Sequence, residues 1–408
     1  MSTRITDFAG LQGNPSTRSS YQSAVRRYLD FIYEPVRKGR IVTREEARRY
    51  EELAEDYFST DRNYSVDLQR FAASLNASKS PPKSAQFWLS VIREFLKVNG
   101  ITITDDQWKD VKKRKPKGRL ARTREGIFSR ELIQKILPYM PVQTRAVFLT
   151  MLSSGMRIGE CVRLEMDDIF LDEEPARIEI PGHITKSGDP RTVFISREAS
   201  TAIRAWLDVR DKWLRSSVNR NNGLLAYHGK EHLKKVIEDD NRIFPVHDST
   251  IQESFSRALE KAGVDDIDPK TNRRRIHLHM CRKFFRTRMA QKIPVDAVEL
   301  LLGHNGYLAA EYVRYTTEEL RQYYFQAEGA VTVGVSDEIA AAIVGETIGQ
   351  DLERLRDENS SLRNELSQIQ QELAIMRAMQ NDISRHPEAL QALIDKRIKE
   401  LQTPKKND

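Results

Sequence analysis

The sequence predicts a mainly α-helical chain: a small N-terminal helical domain, a larger helical domain holding a small β-hairpin sheet, and a C-terminal coiled coil. Three observations carry this. Apolar residues between positions 16 and 100 recur at helical spacing, without a strand-like alternation. One pair of short alternating runs, ARIEI and RTVFIS, flanks a polar turn. From Ile348 to Met376 apolar residues alternate at steps of four and three.

Residues 1–14 are polar and are expected to be mobile. Ser16 and Thr17 offer caps for a helix through YQSAVRRYLDFIY, whose Tyr21, Val25, Tyr28 and Ile32 share a face. A charged, helix-favouring segment from Thr43 to Phe58 follows, then NYSVDLQRFAASL and, past Pro81-Pro82, KSAQFWLSVIREFLKVNG. Four helices therefore make a compact domain ending near Gly100. Arg26, Arg27, Lys79, Lys83 and Arg93 suit a phosphate backbone and suit plain solvent equally well. From Lys109 to Arg124 the chain reads KDVKKRKPKGRLARTR, nine Lys or Arg against one Asp, with Pro116 and Gly118 as breakers. Such dense like charge predicts an extended, flexible connector able to track across phosphates.

Phe128-Ser129 opens the larger domain. SRELIQKIL and TRAVFLTMLSSG read as helices, the second apolar enough to be buried. Gly155 ends it, and Met156-Arg157-Ile158-Gly159-Glu160 starts the next, with Cys161, Leu164 and Met166 on its inner side. The two strands then frame a turn with Lys186 at its tip beside Ser187-Gly188-Asp189. Residues 198–216 read as a helix, 217–245 as a looser insert and 249–263 as a helix. A basic loop, KTNRRRIHLHM, leads into CRKFFRTRMAQ. An amphipathic run from Pro294 ends at Gly303, Asn305-Gly306 supplies a turn, and a further helix is expected to carry Tyr312, Arg314 and Tyr315.

Beyond a connector at 329–344 the heptads place Leu352, Asn359, Leu366 and Leu373 at a. Asp351, Glu358, Glu365 and Glu372 stand at g, facing Arg356, Arg363, Gln370 and Arg377 at the following e positions. Three of those four pairs attract in a parallel dimer, and Asn359 pairs best with its own copy in register. His386-Pro387 ends the run, and a short helix and the tail TPKKND follow.

Composition narrows the function. The 408 residues carry 66 Lys and Arg against 59 Asp and Glu, a net charge of +7, so a polyanionic partner is favoured but the distribution matters more than the total. Cys161 and Cys281 are the only cysteines, which excludes a disulfide framework and fits a reducing, cytoplasmic setting. No apolar run reaches the ~18 residues of a membrane helix, and no signal-peptide core is present.

His279 and Arg282 in HMCRK lie three apart on one helical turn and can meet at one ligand, whereas His277 has Met280 at that spacing. They follow Arg157 and Lys186 and precede His304 and the tyrosines. No single one of these motifs is specific; the ordered set is. Arg157 with Glu160 in SGMRIGE, Lys186 in the hairpin, His279 and Arg282, His304 in LLGH and a downstream tyrosine together resemble the tyrosine recombinase, or phage integrase, family over residues 15 to 328. Lys283 stands where that family often has a histidine. Bacterial members place their tyrosine nine residues after the LGH histidine, where this chain has Val313; the YVRYTTEEL context is more like archaeal members and favours Tyr312, with Tyr315 the alternative.

The resemblance implies an N-terminal core-binding (DNA-binding) domain at 1–108, a basic linker at 109–126 and a catalytic domain at 127–328; the residue pattern by itself adds a connector at 329–345, a parallel coiled coil at 346–385 and a short helix with a basic tail at 386–408. It implies site-specific DNA cutting and rejoining through a covalent 3′-phosphotyrosine and a Holliday junction, with no metal, ATP or other cofactor. The expected partners are double-stranded DNA and other copies of the chain, as a synaptic tetramer and a coiled-coil dimer at the nucleoid, with no membrane. Arg157 and Arg282 would bind the two non-bridging oxygens, with His304 as a further donor. Lys186 would protonate the leaving 5′-oxygen, His279 would orient or deprotonate the phenol, and Tyr312 would attack. A type IB topoisomerase-like enzyme, or a sequence-specific DNA-binding protein with a retired active site, are the rival readings.

Overall fold

Thr43 and Thr104 each start a helix with a reciprocal cap. The hydroxyl accepts the N–H three residues on, and Glu46 or Gln107 accepts the threonine's own N–H. The computed structural model describes residues 4–39, 41–118, 123–227, 233, 240–304 and 315–334, with a few isolated positions after them. It divides into two units, the first reaching Arg124 and including Asp268–Arg273, the second holding the rest.

The helices of the first unit are α1 (Ile5–Gly10), α2 (Pro15–Ile32), α3 (Arg44–Ser59), α4 (Tyr64–Ala77), α5 (Pro82–Val98) and α6 (Asp105–Arg114). Its core is rich in aromatic rings, among them Phe8, Tyr28, Tyr57, Phe71 and Phe95. The Tyr28 and Tyr57 hydroxyls, 2.7 Å apart, satisfy each other inside it. Two expectations are corrected. Residues 5–10 are not a mobile tail but α1, because Ile5 and Phe8 reach this core. Residues 109–114 are not an extended connector but the last turns of α6. Trp108 and Val111, three apart, are buried on one face, and Lys112, Lys113 and Arg114 complement the helix C-terminus despite their mutual repulsion.

The second unit begins with α7 (Arg130–Ile136) and α8 (Val142–Ser154). All thirteen residues of α8 are buried; its Thr150, Ser153 and Ser154 hydroxyls bond back to its own carbonyls, as Thr150 does to Ala146 at 2.7 Å, and Thr144 donates to the Ser254 hydroxyl at 2.8 Å. The short α9 (Ile158–Cys161) follows. A sheet in the order β1 (Ile169–Phe170), β2 (Ala176–Ile180), β3 (Arg191–Ile195) comes next, antiparallel throughout, with Ile178 opposite Val193. The strand β1 was not expected, since two residues are too few to show an alternation. The helix α10 (Arg197–Tyr227) runs eleven residues past its expected end. Gly223 costs about 1 kcal/mol there, too little to stop a helix already propagating.

After α11 (Asp248–Lys261) and a small hairpin, β4 (Ile267–Asp268) with β5 (Arg273–Arg274), come α12 (Met280–Met289), α13 (Val295–Leu302) and α14 (Thr317–Val331). Two clusters form the core: one around α8, the sheet, α10 and α11, the other joining Phe194 of β3 to α12, α13 and α14. The expected helix through Tyr315 is not present at that residue, which precedes Thr316, the cap of α14. No helix among the described residues is long and apolar enough to cross a membrane. The coiled coil expected at 346–385 lies almost entirely outside the described residues.

Trp108 is 7% exposed and takes the Arg93 guanidinium over its ring at 4.9 Å. Trp108→Ala is expected to destabilise the first unit by about 3–5 kcal/mol, read as a lowered urea midpoint. A loss below about 0.5 kcal/mol, as for an exposed site, would show that α6 belongs to the connector after all.

Candidate active site

Two helices of the second unit end in the same way, and the site is built on their ends. Gly155 closes α8 and Gly303 closes α13, both with φ of +68°, where a side chain is strained. Space forbids one as well: a Cβ on Gly155 would lie 2.6 Å from the Phe285 ring, and one on Gly303 2.9 Å from Arg191. Into the gap between these ends projects Arg282, from the first turn of α12. Its Nη1 donates to the Gly155 carbonyl at 2.8 Å and its Nη2 to the Leu302 carbonyl at 2.6 Å. Both acceptors are helix C-terminal carbonyls, the negative ends of two helix dipoles. Arg282 is 6% exposed, and burial, with Arg157 and Arg191 nearby, pushes its pKa down to about 10. It remains a cation at neutral pH.

Arg157 precedes α9, and its backbone N–H donates to Glu160 at 3.0 Å. Its Nη1 donates to the same carboxylate at 2.9 Å. Glu160 is buried and also accepts from Arg191 Nη2 at 2.6 Å. Burial alone would raise its pKa, but hydrogen bonds and charge from Arg191 and Arg157 outweigh that and hold it below the usual carboxylate range. Arg191 also donates to the Leu301 carbonyl at 3.2 Å, tying β3 to the end of α13.

His304 follows Gly303. Its Nε2 lies 2.9 Å from Arg282 Nη2, and its Nδ1 bonds the Glu299 carboxylate. A guanidinium only donates, so Nε2 accepts and Nδ1 carries the proton. Arg286 Nε donates to the other Glu299 oxygen at 2.7 Å. Burial opposes ionisation of Glu299, yet His304 and Arg286 keep its pKa below the usual range. Arg191, Glu299 and Arg286 were not singled out from the sequence. Glu299, five residues before His304 across a helix-ending glycine, was the nearest to a readable signal.

His279 caps α12 and is exposed; what solvent it loses, with the charges of His277, Lys283, Arg282 and Arg157, lowers its pKa and favours the neutral ring. Lys283 is turned to Glu125, which also lies 3.4 Å from His277. Lys186 is exposed between β2 and β3, beyond a loop narrowed at Gly182, where a Cβ would strike the Gly188 carbonyl at 2.3 Å. Arg163 Nη2 fastens this loop through the Ile184 carbonyl at 2.8 Å. The structure thus puts Arg282 in direct contact with His304, sets Arg157 near enough for its charge to act on both Arg282 and His279, and leaves Lys186 at a loop tip. Tyr312 lies outside the described residues. Tyr315 stacks edge-on against Tyr323 at 5.6 Å, and burial first, then Tyr323, Asp296 and Glu319, raise its pKa, the opposite of what activates a phenol.

Residues 129–319 match the phage integrase family. The chain is 24% identical over 266 residues to tyrosine recombinase XerC of Alcanivorax borkumensis, covering 63% of this chain and 77% of that protein. It is 24% identical over 259 residues to tyrosine recombinase XerA of Thermococcus onnurineus, covering 62% and 78%. Among solved structures it is similar to a lambda integrase tetramer bound to a Holliday junction, at 15% identity and TM-score 0.40 over 75% of this chain and 85% of that one.

The lowered pKa of Glu160 has a consequence for stability. Its contribution is complete above the ordinary carboxylate value of about 4.3 and is lost as pH falls through the lower folded value. Between pH 5 and pH 3 the urea stability of the chain is expected to fall more steeply than that of Glu160→Gln. The substitution itself is expected to cost about 3–5 kcal/mol at pH 7, since it leaves two arginines without their carboxylate. Parallel pH profiles for the two proteins would remove Glu160 from this role.

Proposed function

The chain belongs to the phage integrase family, and from that premise we propose that it is a site-specific recombinase that cuts and rejoins duplex DNA through a tyrosine–phosphate bond. The observation that carries this reading is Arg282. A guanidinium buried against two carbonyls and a histidine, with a second arginine close by and no carboxylate in direct contact among the described residues, is a cation prepared for an anion. A phosphodiester is such an anion, and its charge concentrates on two non-bridging oxygens as the phosphorus becomes pentacoordinate.

In this reading Arg157 and Arg282 each take one of those oxygens, and His304 adds a hydrogen bond. The Tyr312 hydroxyl attacks phosphorus while neutral His279 accepts the phenolic proton. The new O–P bond forms as the P–O5′ bond breaks, and Lys186 returns a proton to the departing 5′-oxygen. Because the tyrosine ester conserves the bond energy, a 5′-hydroxyl from the partner duplex rejoins the strand by the reverse steps. No ATP is consumed. Exchange of one strand pair, then the other, passes through a Holliday junction.

The basic run from Lys109 to Arg124 supports a DNA contact that depends on salt. The heptads from Ile348 to Met376 support a parallel dimer that raises the local concentration of catalytic units during synapsis. Insertion or excision of a mobile element at the nucleoid is the role we assign. A relaxing topoisomerase would change linking number without exchanging paired sites, so an assay with two marked sites separates the two readings.

Tyr312→Phe is expected to abolish the covalent adduct on a nicked suicide duplex while leaving DNA affinity within about twofold, since only one hydroxyl is removed. Adduct that persists in Tyr312→Phe and vanishes in Tyr315→Phe would move the nucleophile. Arg157→Ala or Arg282→Ala is expected to slow cleavage by about 10²–10³-fold, and EDTA to leave it unchanged. Cleavage strictly dependent on Mg²⁺ would overturn the arginine mechanism. A chain ending at Gly345 is expected to cleave normally yet recombine poorly at low protein concentration. Full recombination at every concentration would assign the C-terminal segment to another partner.

A further inference from the structure

Glu299 grips His304 twice. Its backbone carbonyl accepts the His304 N–H at 3.0 Å, within the turn that Gly303 closes, and its carboxylate accepts the Nδ1–H. Its side chain is 15% exposed, and Arg286 occupies the second oxygen at 2.7 Å, so the carboxylate has one orientation and little competing water. We infer that Glu299 is a positioning residue of the strand-transfer reaction, acting on the scissile phosphate through the His304 ring. This rests on the recombinase reading given above.

The chemistry follows from the two ring nitrogens. An unrestrained imidazole can flip or exchange tautomers, and either change turns the wrong atom toward a ligand. With Nδ1–H committed to Glu299, Nε2 alone faces the Arg282 guanidinium and the phosphate that guanidinium is to bind. In the unliganded site Nε2 accepts from Arg282 Nη2 at 2.9 Å. To hold a non-bridging oxygen it must donate. The Glu299 carboxylate behind the ring lets Nε2 present a hydrogen there while Nδ1 keeps its partner.

Cations face this corner from every side: Arg282 and Arg286 from α12, Arg191 from β3, and Arg157 ahead of α9. Glu160 is already shared between Arg157 and Arg191. Glu299 is the carboxylate in direct contact with the ring, and it supplies the counter-charge that an imidazolium needs there. A purely structural carboxylate, tying α12 to α13 through Arg286, would act without regard to His304. That difference is measurable.

The experiment is single-turnover cleavage of a nicked suicide duplex by the full chain, by Glu299→Ala and Glu299→Gln, and by each combined with His304→Ala. Glu299→Ala is expected to slow cleavage about tenfold to a hundredfold. Glu299→Gln should fall between it and the parent, because the amide oxygen still accepts the Nδ1–H but carries no charge. In the His304→Ala background either substitution should cost less than about twofold. Equal losses with and without His304, or parent-like cleavage by Glu299→Ala, would overturn the inference. Should Glu299→Ala fail to fold, the near-isosteric Glu299→Gln completes the same cycle. A parent chain that forms no adduct at all would fell the recombinase reading and this inference together. A parent adduct with an additive cycle fells the inference alone.

Discussion

Everything at the site depends on one buried guanidinium held between two helix ends. Taking Arg282 out of water carries a penalty of several kcal/mol unless its donors are met. Here they are met by the terminal carbonyls of α8 and α13, which no longer serve a helix and carry partial negative charge. That arrangement needs both helices to stop abruptly, and each does so on a left-handed glycine whose missing Cβ also lets a neighbour approach. Partial charges from carbonyls offset the desolvation of Arg282 without cancelling its charge. The site therefore keeps its attraction for an anion.

Carboxylates organise the remaining cations in pairs. Glu160 spans Arg157 and Arg191, and Glu299 spans Arg286 and His304. Each is desolvated, and each stays ionised because two cationic or donating partners share it. Mutual repulsion among the arginines is thus offset by the carboxylates they share. The same logic holds Lys283 against Glu125, away from the Arg282 pocket. Rigid placement of this kind matters for transition-state stabilisation, because donors that are already oriented pay no reorganisation cost as charge develops.

The first unit uses arginine differently. Arg27 lies over Trp88 at 4.2 Å, and Arg93 over Trp108 at 4.9 Å. These contacts cover apolar rings with cations; Arg27 stays exposed, whereas Arg93 also pairs with Asp105 at 3.1 Å.

Much of this was legible in the residues alone. Helical spacing placed most helices, and the alternation in ARIEI and RTVFIS placed the hairpin, because both periods are local properties of the backbone. The order of Arg157, Lys186, His279, Arg282 and His304 pointed to a candidate site, since charge type and chain order are written in the sequence, and the structure brings Arg282 against His304 with Arg157 and His279 near them. It also misled where local rules competed. The cationic run at 109–114 reads as a linker until Trp108 and Val111 are seen to reach a core, and α10 outruns its Asn- and Gly-rich end. Only the tertiary structure decided which carbonyls receive Arg282, that Arg191 and not solvent shares Glu160, and that Glu299 fixes the proton on His304. Those pairings depend on how separate elements meet, and one, Arg282 with Gly155, spans 127 positions. No local period encodes them, because they exist only once the helix ends have been packed together.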